Sequence, residues 1–312
     1  MINTLGSETG ETMKKPLVST ITACFRMQRY LKDWLEALPR QTFFHEMEVV
    51  LDHNEPTEEE VEWVRAFQQQ YPGRLKHIIV NKVDPMGVSW NRCIREASGE
   101  LLTIWNVDDL RTPESVEQQA DVLLNHSEIS IVYGNYRIVN AFKSTAGQLI
   151  EHLAIPPSEL TRSMILGPFF MFRKSLCQIA GYFDEQLLSG ADFDLAIRLA
   201  LHGKAAIAFG ELGYYLDEGL GASTRPNSKQ PVERTVIELR YGIYDKIDYG
   251  YLPHAAMYNI PYICNFGEWK PVRDFVPEYQ AFMEERRNSW FAEGLVKYSN
   301  MLIAMDNPDR KV

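Results

Sequence analysis

Residues 18–24 alternate as Val-Ser-Thr-Ile-Thr-Ala-Cys and are rich in β-branched side chains, the pattern of a strand. Tyr30, Leu31, Trp34, Leu35 and Leu38 follow at helical spacing. A second short strand, residues 48–52, ends in the carboxylate of Asp52. Thr57 with Glu60 forms a capping box for a helix carrying Val61, Val64, Phe67 and Tyr71, which Pro72-Gly73 stops. The alternation then repeats: a strand at 76–80, a helix at 88–97 closed by Ser98-Gly99, and a strand at 101–105. Thr112 as cap and Pro113 at the first helical position open a further helix through Leu123. Four strand–helix units in succession predict an α/β fold, an open, mostly parallel sheet with helices on both faces. Ligands of such sheets bind outside the carboxyl ends of the strands. Asp52 and the group from Asn106 to Asp109 both lie there.

After residues 129–133 the pattern is mixed. Helical spacing returns at 173–180, 192–201 and 232–247, with a strand at 205–209. From Asp248 the composition shifts to Tyr, Phe, Trp and Pro, and an amphipathic helix closes the chain over about 277–305. The chain thus divides into a polar leader (1–15), an α/β domain (16–247, with halves 16–125 and 126–247) and an aromatic-rich helical extension (248–312).

Composition narrows the function classes. With 312 residues and 45% hydrophobic content, the chain buries a full core without disulfides. Its 42 Asp+Glu against 32 Lys+Arg leave a net charge of −10. Nucleic acids and anionic membranes are held by dense Lys/Arg patches, so neither is an expected partner beyond a local basic groove or peripheral membrane contact. No apolar run approaches the roughly 18–20 residues that span a bilayer, and the leader lacks the apolar stretch of a secretory signal. A cytoplasmic location is expected. Cys24, Cys93, Cys177 and Cys264 form no CxxC pair and read as reduced core thiols; the seven histidines fit no zinc spacing.

The sharpest local signal is Trp105-Asn106-Val107-Asp108-Asp109 at the end of a hydrophobic strand. Carboxylates crowded at a strand end repel one another unless a cation or donor offsets them. Oxygen ligands of this type suit Mg²⁺ or Mn²⁺ bridging to substrate phosphates. Alone, the same residues read equally well as an acidic loop opening the helix at Thr112-Pro113. Further segments stand in a recognisable order: residues 18–29, Asp52, Gly87-Val88-Ser89-Trp90-Asn91 with Ala97-Ser98-Gly99-Glu100, then the acidic group, Gly181-Tyr182-Phe183-Asp184-Glu185 and Ala191-Asp192-Phe193-Asp194-Leu195. Together, over about residues 16–225, they resemble glycosyltransferase family 2, inverting enzymes with a GT-A fold.

The resemblance implies a nucleotide-sugar half (16–125) and an acceptor half (126–247) of a GT-A domain, followed by the extension. It implies that Ala23 and Cys24 line the nucleotide pocket, that Asp52 accepts a hydrogen bond from the base, usually uracil, and that Asn91 and Asn106 help shape the pocket. Asp108 and Asp109 match the metal-binding region, and Asp192 the general base. Mn²⁺ or Mg²⁺ is the implied cofactor. The implied function is transfer of a sugar, of the hexosyltransferase class, from a UDP-sugar to a hydroxyl of a saccharide or lipid-linked acceptor. Each residue keeps a plainer reading: Asp52 as a turn acid, Asn91 as a helix-packing amide, Asp192 as a helix cap. Asn106 replaces a common Asp, Arg26 a common Asn, Trp90 a common basic residue and Ala191 a common Glu. Lys82 or Arg92 is then expected to supply a phosphate-facing charge. These departures motivate the alternative of a catalytically silent, nucleotide-binding or scaffold protein on the same fold.

Overall fold

A computed structural model describes residues 15–152, 157–221 and 224–305. The leader before Lys15, residues 153–156, Ala222-Ser223 and the residues after Met305 lie outside the described residues. The first half runs β1 (Val18–Cys24), α1 (Gln28–Ala37), β2 (Met47–Asn54), α2 (Glu58–Gln70), β3 (Leu75–Val80), α3 (Met86–Glu96), β4 (Leu101–Ile104), β5 (Leu110–Arg111) and α4 (Ser115–Asn125). The second half adds β6 (Ile129–Val139), β7 (Gln148–Ile150), α5 (Pro157–Leu160), β8 (Met171–Arg173), α6 (Cys177–Ala180), α7 (Ala191–His202), β9 (Lys204–Leu216) and α8 (Gln230–Arg240). The extension contains α9 (Leu252–Ala255), a hairpin of β10 (Tyr262–Asn265) and β11 (Glu268–Pro271), then α10 (Tyr279–Arg286) and α11 (Ala292–Met305) joined by a π-helical turn.

The main sheet is mixed, in the order β3-β2-β1-β4-β8-β6-β9-β5, with β7 paired to β6. Its first four strands are parallel, β8 is antiparallel to both neighbours, and β6 and β9 are again parallel. Side chains alternate between two cores. Val49 and Leu51 pack under α1 and α2, whereas Val50 joins α3 and α7 on the other face. Phe170 and Phe172 likewise face away from Phe169 and Met171. Burial on both faces explains why these strands read as nearly continuous apolar runs.

The predicted capping box at α2 is present, Glu60 N–H donating to Thr57 Oγ1 at 3.2 Å and Thr57 N–H to Glu60 Oε2 at 2.8 Å. Elsewhere the structure corrects the reading. β2 continues two residues beyond Asp52, so that carboxylate lies within the strand. Thr112 does not cap α4, which begins at Ser115; its backbone N–H and hydroxyl both donate to β9 carbonyls, those of Leu212 and Glu211. Arg173 ends a strand, and the helix expected to begin there is cut to a 3-10 turn and α6. α8 stops at Arg240, short of residue 247. All four cysteines are free and buried, as expected.

Candidate active site

β1 is flanked by β2 on one side and β4 on the other, so the strand order reverses there, the point of an open α/β sheet where ligands bind outside the carboxyl ends. The turn after β4 is tightly pinned. Thr22 Oγ1 donates to the Trp105 carbonyl at 2.9 Å, and the buried Trp105 indole donates to the Asp109 carbonyl at 3.1 Å. Asp109 is 1% exposed; its two oxygens accept from the Asn106 amide and from the Leu216 backbone N–H, each at 3.1 Å. Burial and then the adjacent Asp108 push its carboxyl well above the usual range, against the bonds from Leu216 and Asn106 and the nearby Arg111. Arg111, fixed to Thr103 Oγ1, the Ile104 carbonyl and Gln119, lies beneath, where burial lowers its guanidinium to about 9.

Asp109 therefore ties the turn to β9, with one protein donor on each of its oxygens. Asp108 is the carboxylate left over. It is partly exposed, and no Lys or Arg pairs with it among the described residues. Burial, with a further contribution from Glu218, raises its carboxyl above the ordinary value, opposed only by its own backbone N–H. Glu218, at the end of β9, receives a two-pronged bond from Arg29 (2.8 and 3.0 Å) and a third from the Tyr30 hydroxyl (3.0 Å). That clamp is missing from the sequence reading, which used Tyr30 only as an apolar helix position; Asp217-Glu218 before Gly219 was its one available signal.

The remaining predicted residues divide. Ala23 and Cys24 do end β1, Cys24 1% exposed with burial pushing its thiol up. Asp52 is wholly buried: Arg92 Nε and Nη2 bond its two oxygens at 2.6 and 3.1 Å, and Asn54 adds a bond at 2.8 Å. These bonds make Asp52 the anchor of the Arg92 guanidinium. Arg92 also pairs with Asp84 at 2.8 Å, as does the largely exposed Lys82 at 2.9 Å. Asn91 is held by protein partners as well. Its amide donates to the Phe183 carbonyl and to Glu185, each at 2.9 Å, and its oxygen accepts the Phe183 N–H. It fastens α3 to the 183–185 segment.

Asp192 lies at the second position of α7, whose N-cap is Gly190, so it does not begin the helix. One oxygen accepts the Phe193 N–H at 2.8 Å. Gly87, opening α3 after the carboxyl end of β3, packs so closely that an added Cβ would lie 3.5 Å from the Cβ of Ala191. Asp192 thus stands at the same edge of the sheet as the carboxyl ends of the parallel strands. Burial first, and the Glu233 charge in addition, raise its carboxyl to about 6 against the Phe193 N–H and its own. By contrast, Asp194 on the same helix is consumed by Arg198, Arg240 and the Tyr241 hydroxyl in a fully buried network.

Among the described residues, no cluster of three or more His, Cys, Asp or Glu can hold a metal by itself. A divalent ion that keeps waters and shares substrate phosphates needs only one or two protein carboxylates, and Asp108 fits that need.

Compared with known proteins, the sequence matches the family described as "Glycosyl transferase family 2" over residues 19–179. It is 23% identical over 142 residues to EpsE of Bacillus subtilis (strain 168), named as a glycosyltransferase, covering 45% of this chain and only 50% of EpsE. Among solved structures, residues 1–349 of S. aureus TarS in complex with UDP-GlcNAc superpose with a TM-score of 0.58 at 17% identity, over 75% of this chain and 68% of that one. The mannosyltransferase PcManGT of Pyrobaculum calidifontis, in complex with GDP-Man and Mn²⁺, gives 0.53 at 15% identity over 95% and 77%. These two likenesses establish the GT-A fold. Among the described residues no helix is long and apolar enough to cross a membrane.

Proposed function

Since this chain belongs to glycosyl transferase family 2, we propose that it transfers a sugar, with inversion, from a UDP-sugar to a hydroxyl of a saccharide or lipid-linked acceptor. The observation that carries the reading is a contrast among acids. Asp52, Asp109, Asp184 and Asp194 have their oxygens taken by protein donors, whereas Asp108 and Asp192 stand partly exposed at one edge of the sheet without a cationic partner. Groups held at raised energy and left unneutralised are what a charge-shifting reaction needs.

In this reading the acceptor oxygen bonds to the anomeric carbon from the face opposite the diphosphate while the carbon–phosphate-oxygen bond breaks. Asp192 takes the hydroxyl proton; a carboxyl near 6 is unprotonated at neutral pH yet basic enough to accept it. Asp108 and the diphosphate oxygens would together hold Mn²⁺ or Mg²⁺, which when bound offsets the charge growing on the leaving group. Asn106 and Asp109 keep the 105–109 turn rigid so that Asp108 meets that group in a fixed place.

The test is a panel of UDP-, GDP- and dTDP-sugars with Mn²⁺, Mg²⁺ or EDTA, read by thermal shift and by nucleotide release. A true donor raises apparent stability by mass action. The reading expects a UDP-sugar to stand out, with release lost in EDTA. Binding without release under every condition would favour a silent scaffold, and preference for GDP or dTDP would overturn the choice of base.

A further inference from the structure

Glu233, in the first turn of α8, is completely buried and has no Lys or Arg partner among the described residues. Its carboxylate instead accepts three successive backbone N–H groups, from Leu188 (2.8 Å), Ser189 (2.7 Å) and Gly190 (2.9 Å), plus the Ser189 hydroxyl (3.1 Å). From the extension, the Tyr258 hydroxyl donates to the same carboxylate at 3.1 Å. A row of converging N–H dipoles is a built anion cradle, and here a side chain fills it. Gly190 is the N-cap of α7 and has no side chain with which to cap it. A Cβ there would come within 3.1 Å of Ile237 Cδ1 and 3.3 Å of Glu233 Cβ, so the glycine is what lets α8 approach this closely.

We propose that Glu233 is a positioning residue for Asp192, acting through the 188–190 loop, and that Tyr258 braces it from the extension. This rests on the reading of Asp192 as the base. The body of α7 does not need Glu233, because Asp194 already locks that helix to Arg240 and Tyr241, and Arg198 of the same helix donates to the Ala180 and Tyr182 carbonyls. What Glu233 controls is the two-residue approach to Asp192, where a misplacement of about 1 Å can cost on the order of 100-fold in rate. Its charge also faces Asp192 and, after burial, is the one neighbouring side chain that raises that carboxyl. Among the described residues, the groups that face Glu233 in turn are Asp192, the Tyr258 hydroxyl and the 188–190 donors.

The experiment is Glu233→Gln in the full chain, with three readings. These are ¹³C NMR titration of the Asp192 carboxyl, amide exchange at residues 188–190 and UDP released from UDP-N-acetylglucosamine with Mn²⁺. The expected result is an Asp192 midpoint moved below about 6, faster exchange at 188–190 with residues 195–199 still protected, and turnover down about 10- to 100-fold at unchanged UDP affinity. A lower melting temperature alone, with exchange at 188–190 and the Asp192 titration both native, overturns the proposal. Should Glu233→Gln not fold, Tyr258→Phe keeps the charge and removes one donor; faster 188–190 exchange supports the brace and unchanged exchange overturns it. Failure of the base reading is separate: it appears as native turnover in Asp192→Asn, whatever Glu233→Gln does.

Discussion

At the scale of single residues, the carboxylates differ in how many protein donors each accepts. Asp108 and Asp109 are neighbours with opposite fates, because the Leu216 N–H that occupies Asp109 comes from 107 positions away. The sequence shows two acids and the right turn; it does not show that donor, so both read as ligands. The same limit hid the Arg92 pair from Asp52, 40 positions apart. Asn106 makes physical sense in place of an acid, since its amide donates to Asp109 where a third carboxylate would add repulsion. Asp108→Ala is expected to leave the fold intact and to weaken UDP binding in Mn²⁺ by about 10-fold or more, to the level seen in EDTA, the range typical of metal-site losses. Because burial raises the Asp108 carboxyl, metal-linked binding should fade, as pH drops, earlier than an ordinary aspartate would allow. Calorimetry at two pH values, with and without EDTA, checks both; equal affinities throughout would remove Asp108 from cation binding.

Among elements, the parallel strand–helix units were legible because each offers seven or more residues of clean periodicity or an explicit cap, as at Thr57 and Glu60. β5 and β8 were not, since two or three residues carry no period, and their pairing with β9 and β4 is decided by distant strands. The β10–β11 hairpin was hidden in aromatic composition. It matters to the site: Asn265 donates to the Phe183 carbonyl and accepts the Tyr182 N–H, while Asn91 bonds Phe183 from the opposite side. Two asparagines thus clamp one segment between α3 and the hairpin. Asn91→Ala strands the buried Phe183 N–H, at a cost of about 1–3 kcal/mol for one unsatisfied group, while the Phe183 carbonyl keeps its Asn265 bond. Urea melts should show that loss while UDP affinity of the folded protein stays native. A selective loss of UDP affinity at full stability would restore Asn91 to the nucleotide pocket.

For the whole molecule, the extension is part of the catalytic structure and not an appendage. Ala255, Ile263, Val272 and Val276 belong to the same core as Ile21, Val50 and α7. Arg240 ties Asp184 to Asp194, and its Nε and Nη2 bond the Ile260 and Tyr262 carbonyls, so the ion network spans both sides of residue 247. Removing one partner from a buried network of this kind typically costs about 3–5 kcal/mol. This rigid frame leaves Asp192 exposed to a site while keeping it costly to ionise: its raised carboxyl destabilises the native state above about pH 6, and the penalty is relieved as pH falls toward its ordinary value. Asp192→Asn should therefore fold, with a melting temperature at pH 7.5 at or above that of the native protein. The measurement that decides the account is sugar transfer by this variant, taken beside its UDP affinity, with the donor found by the nucleotide-sugar panel. The account predicts native UDP binding with transfer reduced by roughly 10²–10⁴-fold; a near-native rate would contradict it.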